Sequence, residues 1–163
     1  MSFALTNGGD EPLYLKGDPG SGGPEFQLLV SGEPVAAAEA KFCPNWCPER
    51  GAVMELDCAK PDPAMIALPP GGAIEVRWSG EMALDYAKSC RDGQARHCLQ
   101  KQPAPAGHYR ASFCAWPSYS GAEAGASPGN AGKIVPATPA GESVCIDAPF
   151  SAPTGAVVAV RFN

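Results

Sequence analysis

The sequence predicts an all-β protein: an antiparallel β-sandwich with disulfide-stapled loops and at most one or two short helices. Three observations lead there. Ile74, Val76 and Trp78 alternate with Glu75 and Arg77, and Tyr109, Ala111 and Phe113 repeat the pattern; each segment has one apolar and one wet face, the period of a half-buried strand. Both open from a Pro/Gly turn, Pro69-Pro-Gly-Gly72 and Pro105-Ala-Gly107, where reversal of the chain is encoded locally. Seven cysteines, Cys43, Cys47, Cys58, Cys90, Cys98, Cys114 and Cys145, are spaced as staples across a β domain in an oxidising compartment.

A chain of 163 residues fits one domain, 1–163, large enough to bury about two thirds of its unfolded surface. Its 19 glycines and 18 prolines approach a disordered composition, yet 45% hydrophobic residues and three tryptophans require a folded body, so Gly and Pro serve turns. With a net charge of −5 and 12 dispersed Lys and Arg there is no basic stripe for a phosphate backbone, so no nucleic-acid partner is expected. No apolar run approaches the ~20 residues that span a bilayer. The start, Met1-Ser-Phe-Ala-Leu-Thr-Asn7, has neither a charged nor an apolar leader region; the secreted, periplasmic or cell-surface location that the cysteines call for therefore requires a signal removed ahead of Met1.

Taken in order, Phe3, Leu5 and Leu13 to Leu15 flank the turn-forming run Asn7-Gly-Gly-Asp-Glu-Pro12, which predicts a hairpin or a kinked first edge strand. Residues 17–24 form a Gly/Pro loop by composition, and Phe26 to Val30 is a short strand ending in the turn Ser31-Gly-Glu-Pro34. The Ala-rich stretch from Val35 to Phe42 allows one or two helical turns before Pro44 and Pro48 rigidify the cysteine loop. Val53 to Cys58 reads as a strand, and Ile66 and Leu68 lead through the diproline turn into the Ile74–Trp78 strand. Met82 and Tyr86, four apart behind a Ser79 cap, predict a short covering helix over 81–90. Cys90 and Cys98 bracket a polar loop that they are expected to close themselves. Residues 119–141, rich in Ala, Gly, Ser and Pro, predict a long flexible surface loop. Glu142 to Ile146 and Ala156 to Phe162 close the domain as strands, with Val158, Val160 and Phe162 on one face.

The chemistry-bearing residues lack catalytic frames. Cys43 and Cys47, with three residues between them, have neither the paired knuckles of a zinc ribbon nor the two-residue spacing of a thioredoxin-like site. Structural disulfides are the simpler reading. Connectivity is open, with on the order of a hundred patterns of three bridges; Cys90–Cys98 and Cys114–Cys145 are the first choices, and one thiol is left over. His97 and His108 have no spaced partner, and no serine elbow, zinc-protease helix or phosphate loop occurs. Met54, Met65 and Met82 read as core filling, and Glu75, Asp85 and Asp147 as solvated surface. No catalytic residue, metal or cofactor is expected. Trp46, Trp116 and Tyr119 are the candidate binding residues, an aromatic platform of the kind that meets sugars or proteins.

The segments Ile66-Ala-Leu-Pro-Pro-Gly-Gly-Ala-Ile-Glu-Val-Arg-Trp78 and Pro105-Ala-Gly-His-Tyr-Arg-Ala-Ser-Phe113 resemble the paired turn-strand phrases of immunoglobulin-like modules, including intracellular proteinase inhibitor-like domains. The resemblance implies an Ig-like sandwich with binding loops at its ends, and inhibition of a protease by an inserted loop. The expected function is a non-enzymatic exported module recognising a protein or polysaccharide surface through disulfide-held loops. The alternatives are a protease inhibitor presenting 43–50 or 91–97, and a small metal-binding or thiol-redox protein using Cys43 and Cys47.

Overall fold

The computed structural model describes residues 1–18, 23–38, 45–47, 62–89, 95–121, 133–134, 136–152 and 155–163. Among them are fourteen strands and no helix. They are β1 (Ser2–Asn7), β2 (Leu13–Lys16), β3 (Gln27–Val30), β4 (Glu33–Val35), β5 (Met65–Leu68), β6 (Ala73–Arg77), β7 (Glu81–Ser89), β8 (Ala95–Pro103), β9 (Gly107–Trp116), β10 (Ser118–Gly121), β11 (Lys133–Ile134), β12 (Ala137–Ala140), β13 (Val144–Ala152) and β14 (Val157–Phe162).

Two sheets meet across one core. The smaller has the order β14-β1-β6, and the larger runs β11-β5-β2-β9-β3-β4 with β13 also paired to β9. One-sided alternation directs both inward. Phe3 and Leu5 of β1, Val76 of β6, and Val160 and Phe162 of β14 are buried against Tyr109, Ala111, Phe113 and Ala115 of β9 and Ala148 and Phe150 of β13. The centre is aromatic: the Phe3 ring lies 5.2 Å from Phe113 and 5.4 Å from Phe150, and Trp78 lies 5.7 Å from both Tyr109 and Phe150. These are the tilted and edge-on geometries that the ring quadrupole favours.

Polar groups caught in this interior are satisfied. Asn7 is 2% exposed, and its Nδ2 donates to the Glu11 carbonyl at 2.8 Å and the Leu68 carbonyl at 2.9 Å, while Oδ1 accepts from Gly9 N at 3.0 Å. Its backbone carbonyl accepts from Gly71 N. One side chain thus joins the end of β1 to the diproline turn. The buried Tyr109 hydroxyl donates to the Pro105 carbonyl at 2.8 Å, tying the start of β9 to the turn before it.

Several expectations are corrected. Residues 7–12 close no hairpin: β1 and β2 belong to different sheets, and β1 is the middle strand of its sheet, not an edge. Its pairing with β14 is parallel, from Ser2↔Val157 to Asn7↔Phe162, in an otherwise mainly antiparallel structure. Residues 81–89 are a strand, not a helix, because β7 pairs with β8 from Glu81↔Pro103 to Ser89↔Ala95. The Glu81 carbonyl, which a helix would keep for a later amide, accepts instead from the Trp78 indole at 3.0 Å and from Ala38 N at 3.1 Å. Residues 35–37 are extended rather than helical; Ala37 bridges Met82, Ala83 N donates to the Ala36 carbonyl, and residues 39–42 lie outside the described residues. Within the 119–141 segment β10 and β12 pair, from Ser118↔Ala140 to Gly121↔Ala137, and residues 122–132 and 135 lie outside the described residues. The expected strand at 53–58 lies outside the described residues. The turn after β3 is as expected: Ser31 and Gly32 have φ of 52° and 86°, the left-handed pair that matches the twist of a two-residue hairpin.

Candidate functional site

The groove that marks this molecule comes from a strand that is interrupted. β13 pairs along β9 from Gly107 to Ala115, whereas the other side of β9 is shared, β3 pairing with Arg110–Ser112 and β2 with Ala115–Trp116. Between β2 and β3 the chain leaves the sheet. Its base is closed by Glu25 N donating to the Lys16 carbonyl at 2.7 Å and by a Gly17↔Pro24 bridge, while Gly17 N donates to the Ala64 carbonyl at 2.8 Å. Lys16 Nζ and Glu25 Oε2 add an ion pair of 2.7 Å.

Beside this departure is a groove of about 730 Å³ lined by Ser112, Cys114 and Trp116 of β9. Alternation in β9 sends Tyr109, Ala111, Phe113 and Ala115 to the core and leaves the intervening side chains on the outer face, where the groove forms. Pro34 to Ala37 supply one part of its wall, the Lys16–Glu25 pair with Phe26 and Gln27 another, and Pro139 of β12 a third. The charges that border it are partnered, so its character is that of a mixed surface: an indole, prolines, an amide, a hydroxyl and one ion pair.

Of the three aromatic candidates, two come together. Trp116 and Tyr119 pack, half-buried, on a satellite cluster of Met65 and Ala137. Tyr14, opposite Trp116 in the β2·β9 register, joins them, its ring 4.9 Å from Tyr119 and edge-on. Trp46 is elsewhere. It bridges Leu99 of β8, with Lys101 Nζ 5.1 Å from its ring centroid. Tyr14 and the Lys16–Glu25 pair were missed in the sequence; the available signal was that Tyr14 and Lys16 fall on the opposite parity from Leu15.

Two disulfides are present among the described residues. Cys114–Cys145 joins directly opposed residues of β9 and β13, as expected. Cys98, however, is bonded to Cys47 and not to Cys90. The reason is the fold: Asn45 to Cys47 lies along β8, with Leu99 N donating to the Asn45 carbonyl and Cys47 N to the Leu99 carbonyl, which brings a sulfur 51 positions away within reach. The loop 90–98 is therefore not closed by its own ends, and its residues 95–97 belong to β8. Cys43, Cys58 and Cys90 lie outside the described residues.

The remaining candidates are placed as surface or core. His108 Nδ1 is 3.1 Å from the Ser151 hydroxyl across the β9·β13 ladder, exposed and with no carboxylate in that contact. Met65 and Met82 are buried, and Met54 lies outside the described residues. Asp147 is paired with Arg110 at 3.1 Å. The exposed Glu75 carboxyl is held below its ordinary value by hydrogen bonds from Arg77 and then Ser2 and by the charge of Arg77, which is raised in turn. Among the described residues no group of three or more His, Cys, Asp or Glu converges as a metal site. Comparison with protein-family models, curated proteins and solved structures returns no match.

Proposed function

We propose that this chain is an exported, non-enzymatic, Ig-like binding module that holds an extended segment of another macromolecule in the groove on the outer face of its larger sheet. The observation that carries the reading is the groove itself, where Trp116 and Ser112 of β9 line one surface with Gln27, Pro34 and Pro139. An amphipathic aromatic with a few fixed polar groups is the usual make-up of a recognition surface. Support for the Ig-like form comes from two facing sheets, the buried Trp78 and the Tyr109–Pro105 hydrogen bond that braces the start of β9. Cys114–Cys145 departs from the Ig pattern, since it joins neighbours in one sheet and not the two layers. Support for export comes from two disulfides, which persist in oxidising compartments. Among the described residues no helix is long and apolar enough to cross a membrane.

The test is affinity electrophoresis through gels holding soluble polysaccharides, run beside a peptide array that includes proline-rich segments. Retention or capture that Trp116→Ala abolishes and Trp46→Ala leaves intact supports the groove; thermal unfolding of both variants checks that the fold survives. Loss with Trp46→Ala alone would move the site to β8, and absence of binding in both formats would sink the reading. The inhibitor version needs an exposed loop at 43–50 or 91–97 to enter a protease, and a panel of serine, cysteine and metalloproteases decides it. The version based on a Cys43–Cys47 redox or metal pair meets the bond from Cys47 to Cys98, which occupies that sulfur.

A further inference from the structure

The two disulfides differ in what surrounds them and in what they hold. Cys98 is 2% exposed, and its bond to Cys47 fastens a separate segment onto β8. Cys145 is exposed, next to Val144 at 51% exposure, with the Ser143 hydroxyl 3.8 Å from its sulfur. Its partner Cys114 is half-buried and lines the groove. The strands this second bridge joins need no staple: they are already in register over nine residue pairs, from Gly107↔Ala152 to Ala115↔Val144.

We infer that Cys114–Cys145 is a thiol-reactive site, at which a low-molecular-weight thiol adds to Cys145 and releases a thiol into the groove, while Cys47–Cys98 stays closed. Exchange needs access of a thiolate to one sulfur and departure of the other. The incoming thiolate attacks the exposed Cys145 Sγ; the Cys114–Cys145 bond breaks as the new S–S bond forms, and the electron pair leaves on Cys114 Sγ, which takes a proton from water. A second molecule of thiol then attacks the sulfur of the bound thiol, expelling Cys145 as thiolate and forming the small-molecule disulfide. Two thiols thereby supply the two electrons that reduce the bridge. The β9·β13 ladder keeps the strands paired throughout, so the change is confined to the groove surface, where Cys114 becomes a free thiol beside Ser112 and Trp116.

The experiment exposes the folded protein to graded reduced glutathione, quenches with acid and N-ethylmaleimide, and maps the peptides bearing Cys47, Cys98, Cys114 and Cys145. The expected result is alkylated Cys114 with glutathione on Cys145, or after the second exchange N-ethylmaleimide on both, at a concentration about tenfold below that needed to open Cys47–Cys98. Opening of both bridges together, earlier opening of Cys47–Cys98, or an adduct on Cys114 would overturn the assignment. Amide exchange of β9 and β13 is followed in the same samples: protection retained is expected, and its loss on opening would show unfolding instead of a reactive site.

Discussion

The two-sheet body and the β7–β8 ribbon are both antiparallel for most of their length, but they are held by different forces. In the body, Phe3, Trp78, Phe113 and Phe162 are at most 1% exposed and pack on one another across the layers. In the ribbon, Leu84 is 39% exposed and the polar Asp85, Gln100, Lys101 and Gln102 face water. It is tied down by backbone hydrogen bonds to residues 36–38 and 45–47 and by the Cys47–Cys98 bond. Burial organises the first region; in the second it is confined to Met82, Ala83 and Cys98, and a covalent bond with a strip of backbone supplies the rest. The difference shows why a pattern of hydrophobicity predicts one region and not the other.

The comparison is sharpest at its largest expected effect. Phe113→Ala or Trp78→Ala should cost about 3–5 kcal/mol by urea unfolding, because each leaves a cavity in a closed aromatic core. Leu84→Ala in the ribbon should stay within about 0.5 kcal/mol; equal losses at the two sites would erase the distinction. Removing the ribbon's staple with the pair Cys47→Ser and Cys98→Ser should cost about 2–4 kcal/mol. In that variant, amide exchange should accelerate in β7 and β8 while β1 and β9 stay protected, and uniform loss would show that the staple serves the whole body.

A smaller effect, of about 1–3 kcal/mol, is expected for Asn7→Ala, which leaves the Leu68 and Glu11 carbonyls without their donor in a buried corner. Denaturation measurements without a shift in midpoint would show that water replaces the amide. Tyr109→Phe removes one hydrogen bond to Pro105 and should cost about 1 kcal/mol. Burial raises the Tyr109 phenol above its ordinary value of 10.0, so the native state keeps a proton that the unfolded chain has lost. Its contribution is whole below about pH 10 and falls as pH climbs through the raised value. Unfolding followed from pH 8 upward should therefore show an alkaline decline that is shallower in Tyr109→Phe; identical slopes would remove Tyr109 from that transition.

Much of the body was legible because one-sided burial imposes period two. Val76 and Trp78, Tyr109, Ala111 and Phe113, and Val160 and Phe162 all face inward as their alternation requires. The 81–90 segment was misread because Met82 and Tyr86, four apart, share a face on a strand as well as on a helix. The nine-residue pairing with β8 decides between them. The aromatic platform was half legible: Trp116 and Tyr119 are near one another in sequence and stay near in space, whereas Trp46 is carried to β8 with Cys47. The groove could not be read, since its lining comes from β2, β3, β4, β9 and β12.

By itself, the sequence determined the all-β class, the turns that lead into β4 and β6 and the inward face of the strands that bound the core, since each depends on residues within a few positions. Tertiary structure decided the rest: that the first strand pairs in parallel with the last, that Cys98 finds Cys47, and that β2 and β3 divide one side of β9 and leave a groove beside Trp116. These are choices among partners tens of residues apart. A strand's own pattern states which face is apolar, but its unpaired N–H and C=O groups accept any neighbour of fitting register, and burial of the whole sheet selects which neighbour that is.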